Sequence, residues 1–274
     1  GYMFGQYKRI VNRYEGVLTG KGLAYGGLSG RTEATGYGIV FFAREMLKAC
    51  GEDLAGKTVA VSGFGNVTWG TVQKLNQLGA KVITISGPDG YIYDPEGVTA
   101  GEKEDYLLEL RASGKNICAP YAEKFPGATF YAGKKPWEVK ADLYIPCATQ
   151  NEIRMEDAQT MVANGCKFLC EGSNMPTTNE ALAYLMENGV VVGPSKAANA
   201  GGVACSCIEM GQNAGHTVFS PAQVYEQLET IMVNIHKNSM EAAERYGLGY
   251  DLVKGANIAG FEKVAEAMMA QGIV

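Results

Sequence analysis

The 274-residue sequence predicts an α/β fold, a doubly wound and mainly parallel sheet with helices on its faces. Two observations predict it. From Lys57 onward, short β-branched runs near 57–62, 81–86, 128–131, 142–146, 167–171 and 190–193 alternate with amphipathic stretches of helical spacing. The first run also passes into its helix with almost no loop, through the closely spaced glycines Gly63 and Gly65.

The elements follow in order. Phe4, Tyr7, Ile10, Val11 and Tyr14 recur at helical spacing and give an opening helix, and the glycine-rich run from Gly16 to Gly30 reads as a hinge or connector. Thr32 and Glu33, followed by Val40, Phe41, Met46 and Leu47, predict a capped helix that packs on one face. Val59 and Val61 suit a strand buried on both faces, and Val67, Val72, Leu75 and Leu78 the helix packed on it. After the second strand, Lys81 to Ile85, the run Tyr91 to Asp94 gives a short extra strand, then a helix near Thr99 to Ala112. Asn174 and Thr177 are candidates to cap a helix that begins near Glu180. The tail is helical over Ala222 to Tyr246 and Gly255 to Gln271.

The segment Gly63-Phe64-Gly65-Asn66-Val67-Thr68 has the form of a phosphate-cradling turn. Gly63 permits the tight turn, and Gly65 has no Cβ to hold a diphosphate away from the amides at the helix start, where the helix dipole favours negative charge. A Rossmann-like dinucleotide site is the expectation. Thr68 departs from the small residue usual at the third fingerprint position. Asp89 lies just past the second strand, in Pro88-Asp89-Gly90. Its carboxylate either reads the adenosine ribose or simply belongs to an ordinary turn.

Ligands of such sheets sit outside the carboxyl ends of the strands, which singles out Pro146 to Asn151, Glu171 to Thr178 and Pro194 to Val203. These stretches are rich in amides and hydroxyls suited to a carboxamide and a ribose. Asn174 can serve as a cap, a ligand contact or both, and the pair Gly201-Gly202 reads as a place of close backbone approach. Lys196 is the one basic residue expected in the cleft. Neither His216 nor His236 falls near a strand end, so a histidine base is not expected.

A net charge of −5 with scattered Lys and Arg argues against a nucleic-acid surface, and no apolar run approaches a membrane span. A soluble, cytoplasmic protein is the expectation. The seven cysteines are spread along the chain and read as reduced and mostly buried, and the pairs Cys166/Cys170 and Cys205/Cys207 lack the spacing and neighbouring histidines of a zinc site. No metal is expected.

Taken together, Arg31 to Gly38, the Gly63–Val67 turn, Pro146-Cys-Ala-Thr-Gln-Asn-Glu152, Asn174-Met-Pro-Thr-Thr-Asn-Glu-Ala181 and Pro194 to Val203 resemble the cofactor-binding domain of bacterial hexameric glutamate dehydrogenases. The likeness runs through nearly the whole chain. It implies oxidative deamination of glutamate to 2-oxoglutarate and ammonium, with hydride passing to a nicotinamide dinucleotide. By the same resemblance Thr35, Gly63, Phe64, Gly65, Asn66, Val67, Ala148, Thr149 and Asn174 are cofactor contacts, and Val203 and Ser206 form the substrate side-chain pocket, with Ser206 bonding the γ-carboxylate. Pro88 and Asp89 resemble the clostridial type and favour NAD over NADP. A leucine, valine or phenylalanine dehydrogenase domain and a non-catalytic dinucleotide-binding module are the alternatives.

In that family the catalytic lysines and aspartate belong to a domain preceding the part that this chain resembles, so no catalytic residue is expected within it. The resemblance implies residues 1–30 as a connecting helix and hinge, 31–250 as the dinucleotide-binding domain, and 251–274 as a helix that packs back on the other domain. It further implies a homohexameric parent, with these residues alone binding cofactor without turnover, as a monomer or weak associate. The apolar residues of the opening helix and Ile258, Phe261, Val264 and Met268 of the last one are accordingly expected to be exposed.

Overall fold

A computed structural model describes residues 1–272; the last two positions of the expected C-terminal segment, 273 and 274, lie outside the described residues. After α1 (Tyr2–Val11) and the glycine-rich loop comes α2 (Ala34–Ala49). The sheet unit then runs β1 (Thr58–Val61), α3 (Asn66–Gln77), β2 (Lys81–Gly87), β3 (Gly90–Tyr93), α4 (Glu102–Ala112), α5 (Ala119–Lys124), β4 (Thr129–Ala132) and β5 (Leu143–Ile145). It continues through α6 (Met155–Ala163), β6 (Phe168–Cys170), α7 (Asn179–Glu187), β7 (Val191–Gly193) and α8 (Ser195–Ala198). Three helices close the chain: α9 (Gly201–Ala214), α10 (Pro221–Arg245) and α11 (Leu252–Gln271).

The seven strands form one sheet in the order β4-β3-β2-β1-β5-β6-β7. β1, β2, β5, β6 and β7 are parallel, while β3 runs antiparallel to both of its neighbours. The short strand expected at Tyr91 is thus the reversal in an otherwise parallel sheet. Chain order reverses at β1, whose neighbours are β2 on one side and β5 on the other, and the crevice outside their carboxyl ends is where such sheets take ligands.

Strand residues alternate between two cores. Val59, Val61, Leu143, Ile145, Phe168 and Cys170 pack on the same side as the fully buried stripe of α2, which includes Ile39, Val40, Phe42 and Met46. Ala60, Tyr144, Leu169 and Val192 face the other way, against Met161 of α6 and Leu185 of α7.

Glycines set how closely helices cross. A Cβ at position 36 would lie 2.2 Å from the Thr71 amide nitrogen, and one at position 201 would lie 2.3 Å from the Ala34 carbonyl oxygen, so α2 packs backbone to backbone on both α3 and α9. The close approach expected of Gly201 is therefore helix against helix. Gly255 does the same for α11 on α10, where an added Cβ would meet the Ser239 carbonyl at 1.9 Å.

Capping differs from the expectation at two helices. Thr32 does not cap α2, whose N-terminal position is Glu33 with no side-chain bond to the helix amides; that end is buried against α3, where Gly70 abuts the Glu33 carbonyl. Thr178, rather than Asn174 or Thr177, caps α7 by accepting from the Ala181 amide. The bridge between Ile153 and Thr177 holds the chain extended there, so the cap falls one residue later, on Thr178.

The glycine-rich loop is tied down. Glu209 of α9 is buried and accepts from the Gly20 and Lys21 amides and from Lys21 Nζ at 2.6 Å, while Asn213 and Gln212 donate to the carbonyls of Gly26 and Gly27. On α11 only Leu252 and Gly255 are buried, and Phe261, Val264 and Met268 are exposed as expected, whereas Ile258 is half-buried. In α1, Tyr2, Met3 and Ile10 are exposed but Phe4 is buried, against Tyr14 and Tyr25. Among the described residues no helix is long and apolar enough to cross a membrane.

Candidate functional site

The turn between β1 and α3 has the conformation its glycines suggest. Gly63 has φ +91°, a region costly for any residue with a Cβ, and its amide donates to Ser86 Oγ of β2 at 2.8 Å. A Cβ there would also lie 2.5 Å from Thr68 Oγ1. Gly65 precedes the first residue of α3 at an ordinary φ of −88°, and a Cβ added to it would meet nothing within 4 Å. Protein packing does not require the missing side chain at Gly65. The open space in front of the helix amides is what a diphosphate needs, so the chain's residues fit a dinucleotide.

Thr68 is fully buried and donates to the Ser62 carbonyl at 3.1 Å, filling the contact between α3 and β1 where the fingerprint prefers a smaller residue. Phe64 turns its ring onto Trp69, which donates from Nε1 to the Phe64 carbonyl at 3.2 Å. The main chain of the turn, more than its aromatic side chain, is left to meet a ligand.

A cleft of about 600 Å³ opens at this turn, between the ends of β1, β2 and β5, with Gly63, Phe64, Gly65, Pro88, Ala148 and Thr149 among its lining residues. A second cavity of about 580 Å³ shares Cys147 and Ala148 with the first and continues past Thr35, Val67, Asn174, Val203 and Ser206. Every cofactor and substrate residue expected from the sequence lines one of these cavities, with two exceptions. Asn66 lines an adjoining cavity beside Arg31 and Thr35, and its Oδ1 accepts a hydrogen bond from Arg111. Asp89 takes the turn alternative: its carboxylate accepts from the amides of Cys118 and Ala119 at 2.9–3.0 Å and so holds the start of α5.

Lys196 is also displaced from its expected place. Its Nζ donates to Asn257 Oδ1 of α11 at 2.5 Å. The cationic side chains lining the cavities are instead Arg111, Lys134 and Lys135 around the first and Arg31 at the second. They come from α4, the segment after β4 and the turn before α2, and have no shared sequence motif.

At the far end Ser206 of α9 is nearly buried and is fixed on several sides. Its hydroxyl accepts from Arg31 Nε at 3.1 Å, lies 3.1 Å from Thr19 Oγ1, and is 3.2 Å from the Gly202 carbonyl, to which it donates. Val203, one turn earlier, is 63% exposed and faces the open side. Thr35 packs on Gly202, where a Cβ would lie 2.4 Å from Thr35 Oγ1. Asn174 does not cap α7, and its Oδ1 accepts from Asn199 Nδ2 at 2.8 Å, so the two amides face the second cavity as a pair.

Two carboxyl groups at strand ends escaped the sequence reading. Glu152, following β5, is buried and lines the first cleft; its Oε1 accepts from the amides of Ala148 at 3.0 Å and Thr149 at 3.3 Å. Burial raises its pKa to about 7, against the opposing effect of these hydrogen bonds. Glu171, following β6, accepts from the Ser195 amide at 3.0 Å and holds α8 in place, and burial likewise raises its pKa. The signal in the sequence was an acid at one edge of each strand-end stretch, Glu152 just after Pro146–Asn151 and Glu171 directly after β6.

The histidines lie elsewhere. His236 is a packing residue, buried edge-on against Phe42 with Nε2 2.6 Å from Tyr250 Oη, and burial lowers its pKa. Five of the seven cysteines are buried, and Cys50 and Cys207 are exposed.

Residues 26–272 match the family described as Glutamate/Leucine/Phenylalanine/Valine dehydrogenase. The chain is 56% identical to the NAD-specific glutamate dehydrogenase of Clostridium symbiosum and 56% identical to that of Bacteroides fragilis, each match covering all of this chain and 61% of the relative. A solved glutamate dehydrogenase structure superimposes with a TM-score of 0.97 at 55% identity, over all of this chain and 61% of that one. The chain thus spans about three fifths of the length of the relatives it matches.

Proposed function

As this chain belongs to the glutamate/leucine/phenylalanine/valine dehydrogenase family, we propose that it forms the dinucleotide-binding part of an NAD-dependent L-glutamate dehydrogenase. The observation that carries the proposal is the open turn at Gly65, continuous through Cys147 and Ala148 with a cavity that ends on Ser206 and Arg31. When bound there, the dinucleotide supplies the acceptor for hydride leaving the substrate Cα. The chain's own residues bind and orient. The α3 amides and Gly65 hold the diphosphate, Pro88 borders the adenosine end, and Ala148, Thr149, Thr35 and the Asn174–Asn199 pair hold the nicotinamide end.

Ser206 is the group on which substrate choice turns. A γ-carboxylate placed here meets both the hydroxyl and the Arg31 guanidinium, whereas a leucine side chain would set an apolar group against that cation and gain neither contact. This favours glutamate over a branched-chain substrate. NAD, rather than NADP, is the preferred cofactor in this reading, supported by the NAD-specific relatives. The second reading, a dinucleotide-binding module with no catalytic role, lacks an explanation for Arg31 and Ser206 facing the same cavity. We further propose a homohexameric parent protein, with these 274 residues alone monomeric or weakly associated, which sedimentation velocity tests.

The test of the cofactor site is Gly65→Ala. The added methyl has open space and an ordinary backbone, so the melting temperature should stay within about 2 °C, while NADH affinity measured by calorimetry should fall roughly tenfold or more as the methyl meets the diphosphate. Unchanged affinity would remove the turn from the site. Comparing NADH with NADPH in the same titration tests the cofactor preference.

A further inference from the structure

We infer that Glu152 is a positioning residue that couples dinucleotide binding to uptake of a proton: its buried carboxyl lines the cleft and holds the Ala148 and Thr149 amides, so an arriving dianionic diphosphate favours its neutral form. The inference rests on the dinucleotide reading of the cleft. It stands first on geometry. Glu152 is 6% exposed, shares the cleft with Gly63, Gly65 and Pro88, and uses one oxygen for both amides of the loop that follows β5. A carboxylate in that position is a like charge facing the ligand, and like charges in a site of low polarity favour protonation of the weaker acid.

The surrounding groups explain why this carboxyl titrates in the neutral range. Just after β1 the Ser62 hydroxyl favours the ionised form, and from the segment before β5 Lys135 does so by its charge while its Nζ donates to the Glu152 carbonyl oxygen at 2.6 Å. Asp157 of α6 lies 3.9 Å from Lys135 Nζ and offsets part of that charge. Arg111 of α4 and Lys134 border the same cleft. The Cys147 thiol at the end of β5 is fully buried, which raises its pKa and keeps it neutral. Burial of Glu152 outweighs the favourable contacts and leaves its pKa near 7.

Coupling has a definite size. If the bound dinucleotide raises the Glu152 pKa by one further unit, affinity is about tenfold higher at pH 6 than at pH 9, and binding takes up about half a proton near pH 7.5. The ionised group also fixes the Ala148 and Thr149 amides more firmly than the neutral one, so the loop should loosen as the proton is taken up.

The experiment is calorimetric titration of the 274-residue chain with NADH in buffers of different ionisation enthalpy, from pH 6 to pH 9. The expected result is proton uptake that peaks between pH 7 and 8 and vanishes in Glu152→Gln, whose NADH affinity is the same at pH 6 and pH 9. Binding without uptake in the native chain, or uptake that persists in Glu152→Gln, overturns the inference while leaving the dinucleotide reading intact. Absence of NADH binding overturns that reading itself. Should Glu152→Gln fail to fold, carboxyl-carbon NMR of the native chain decides: a Glu152 midpoint near 7 that moves upward with NADH supports the coupling, and one that stays put or titrates near 4.5 refutes it.

Discussion

The glycine-rich loop offers a quantitative test of what holds the Ser206 end of the cleft together, through the substitution Lys21→Met. Lys21 and Glu209 form an ion pair with side chains only 2% and 0% exposed; the ammonium donates to Glu209 Oε1 and to the Leu18 carbonyl, each at 2.6 Å. Methionine fills similar space without a charge and leaves the carboxylate buried with only the Gly20 and Lys21 amides as donors. Breaking a buried pair in this way costs about 3–5 kcal/mol. The two remaining amides place the expected loss near the lower end, about 3 kcal/mol. Restoring neutrality with Lys21→Met combined with Glu209→Gln should recover a good part of it, because the uncompensated charge is then gone.

Urea unfolding measures the global loss, and amide hydrogen exchange at Gly20 and Lys21 measures the local one. If the loop opens by itself, exchange there should accelerate about a hundredfold, with the sheet amides unaffected. The Thr19 hydroxyl next to Ser206 should be released with it, which ties loop stability to the cavity proposed to take the substrate. A single variant within about 0.5 kcal/mol of the parent with unchanged exchange, or a double variant no better than the single, would refute the reasoning.

Three other outcomes follow from the same geometry. Gly63→Ala should destabilise the fold by about 1–3 kcal/mol in thermal unfolding, since it combines a positive φ with contacts at 2.5 Å to Thr68 Oγ1 and 2.9 Å to the Cys147 carbonyl. In the dehydrogenase this chain is proposed to serve, Ser206→Ala should lower kcat/KM for glutamate by roughly 10–100-fold with less effect on leucine; equal losses on both would remove Ser206 from substrate selection. Because the folded-state pKa of Glu152, about 7, lies above the 4.5 of the free group, its contribution to stability is full below pH 4.5 and is lost as pH rises to about 7. The stability of Glu152→Gln relative to the parent should therefore rise over that window, by up to about 3 kcal/mol, and a flat difference in urea titrations would show that the carboxyl titrates normally.

Much of the architecture was legible in local pattern. All six strands read from β-branched runs and the extra strand at Tyr91 are present within one or two residues; inside the sheet this is because a strand buried on both faces leaves a continuous apolar signature, whereas β4, at the edge, has no buried residue and was read from its aromatic pair Phe130-Tyr131. The Gly63–Val67 turn was legible for the same reason: φ +91° at Gly63 and the open space at Gly65 are demands on single residues, so the sequence records them directly. Capping was less legible. Thr32, Asn174 and Thr177 have the right chemistry for caps, but α2 begins against the backbone of α3 and α7 begins after a β-bridge, neither of which leaves a mark nearby in sequence.

By itself, then, the sequence determined the alternation that builds the sheet, the turn that leaves room for a diphosphate, and the set of strand-end residues that line the cleft. Tertiary structure decided what those residues do. It set Asp89 on the amides of α5, gave Lys196 to Asn257, packed Gly201 on α2, and brought Arg31 and Thr19 to Ser206 across more than 170 positions of chain. It also buried Glu152 beside the cleft, where a carboxyl that would titrate near 4.5 in water is raised to about 7. The physical reason is common to all of these: backbone conformation and strand periodicity are local properties, whereas hydrogen-bond partners, burial and charge are set by segments that meet only when the sheet and its helices close around one another.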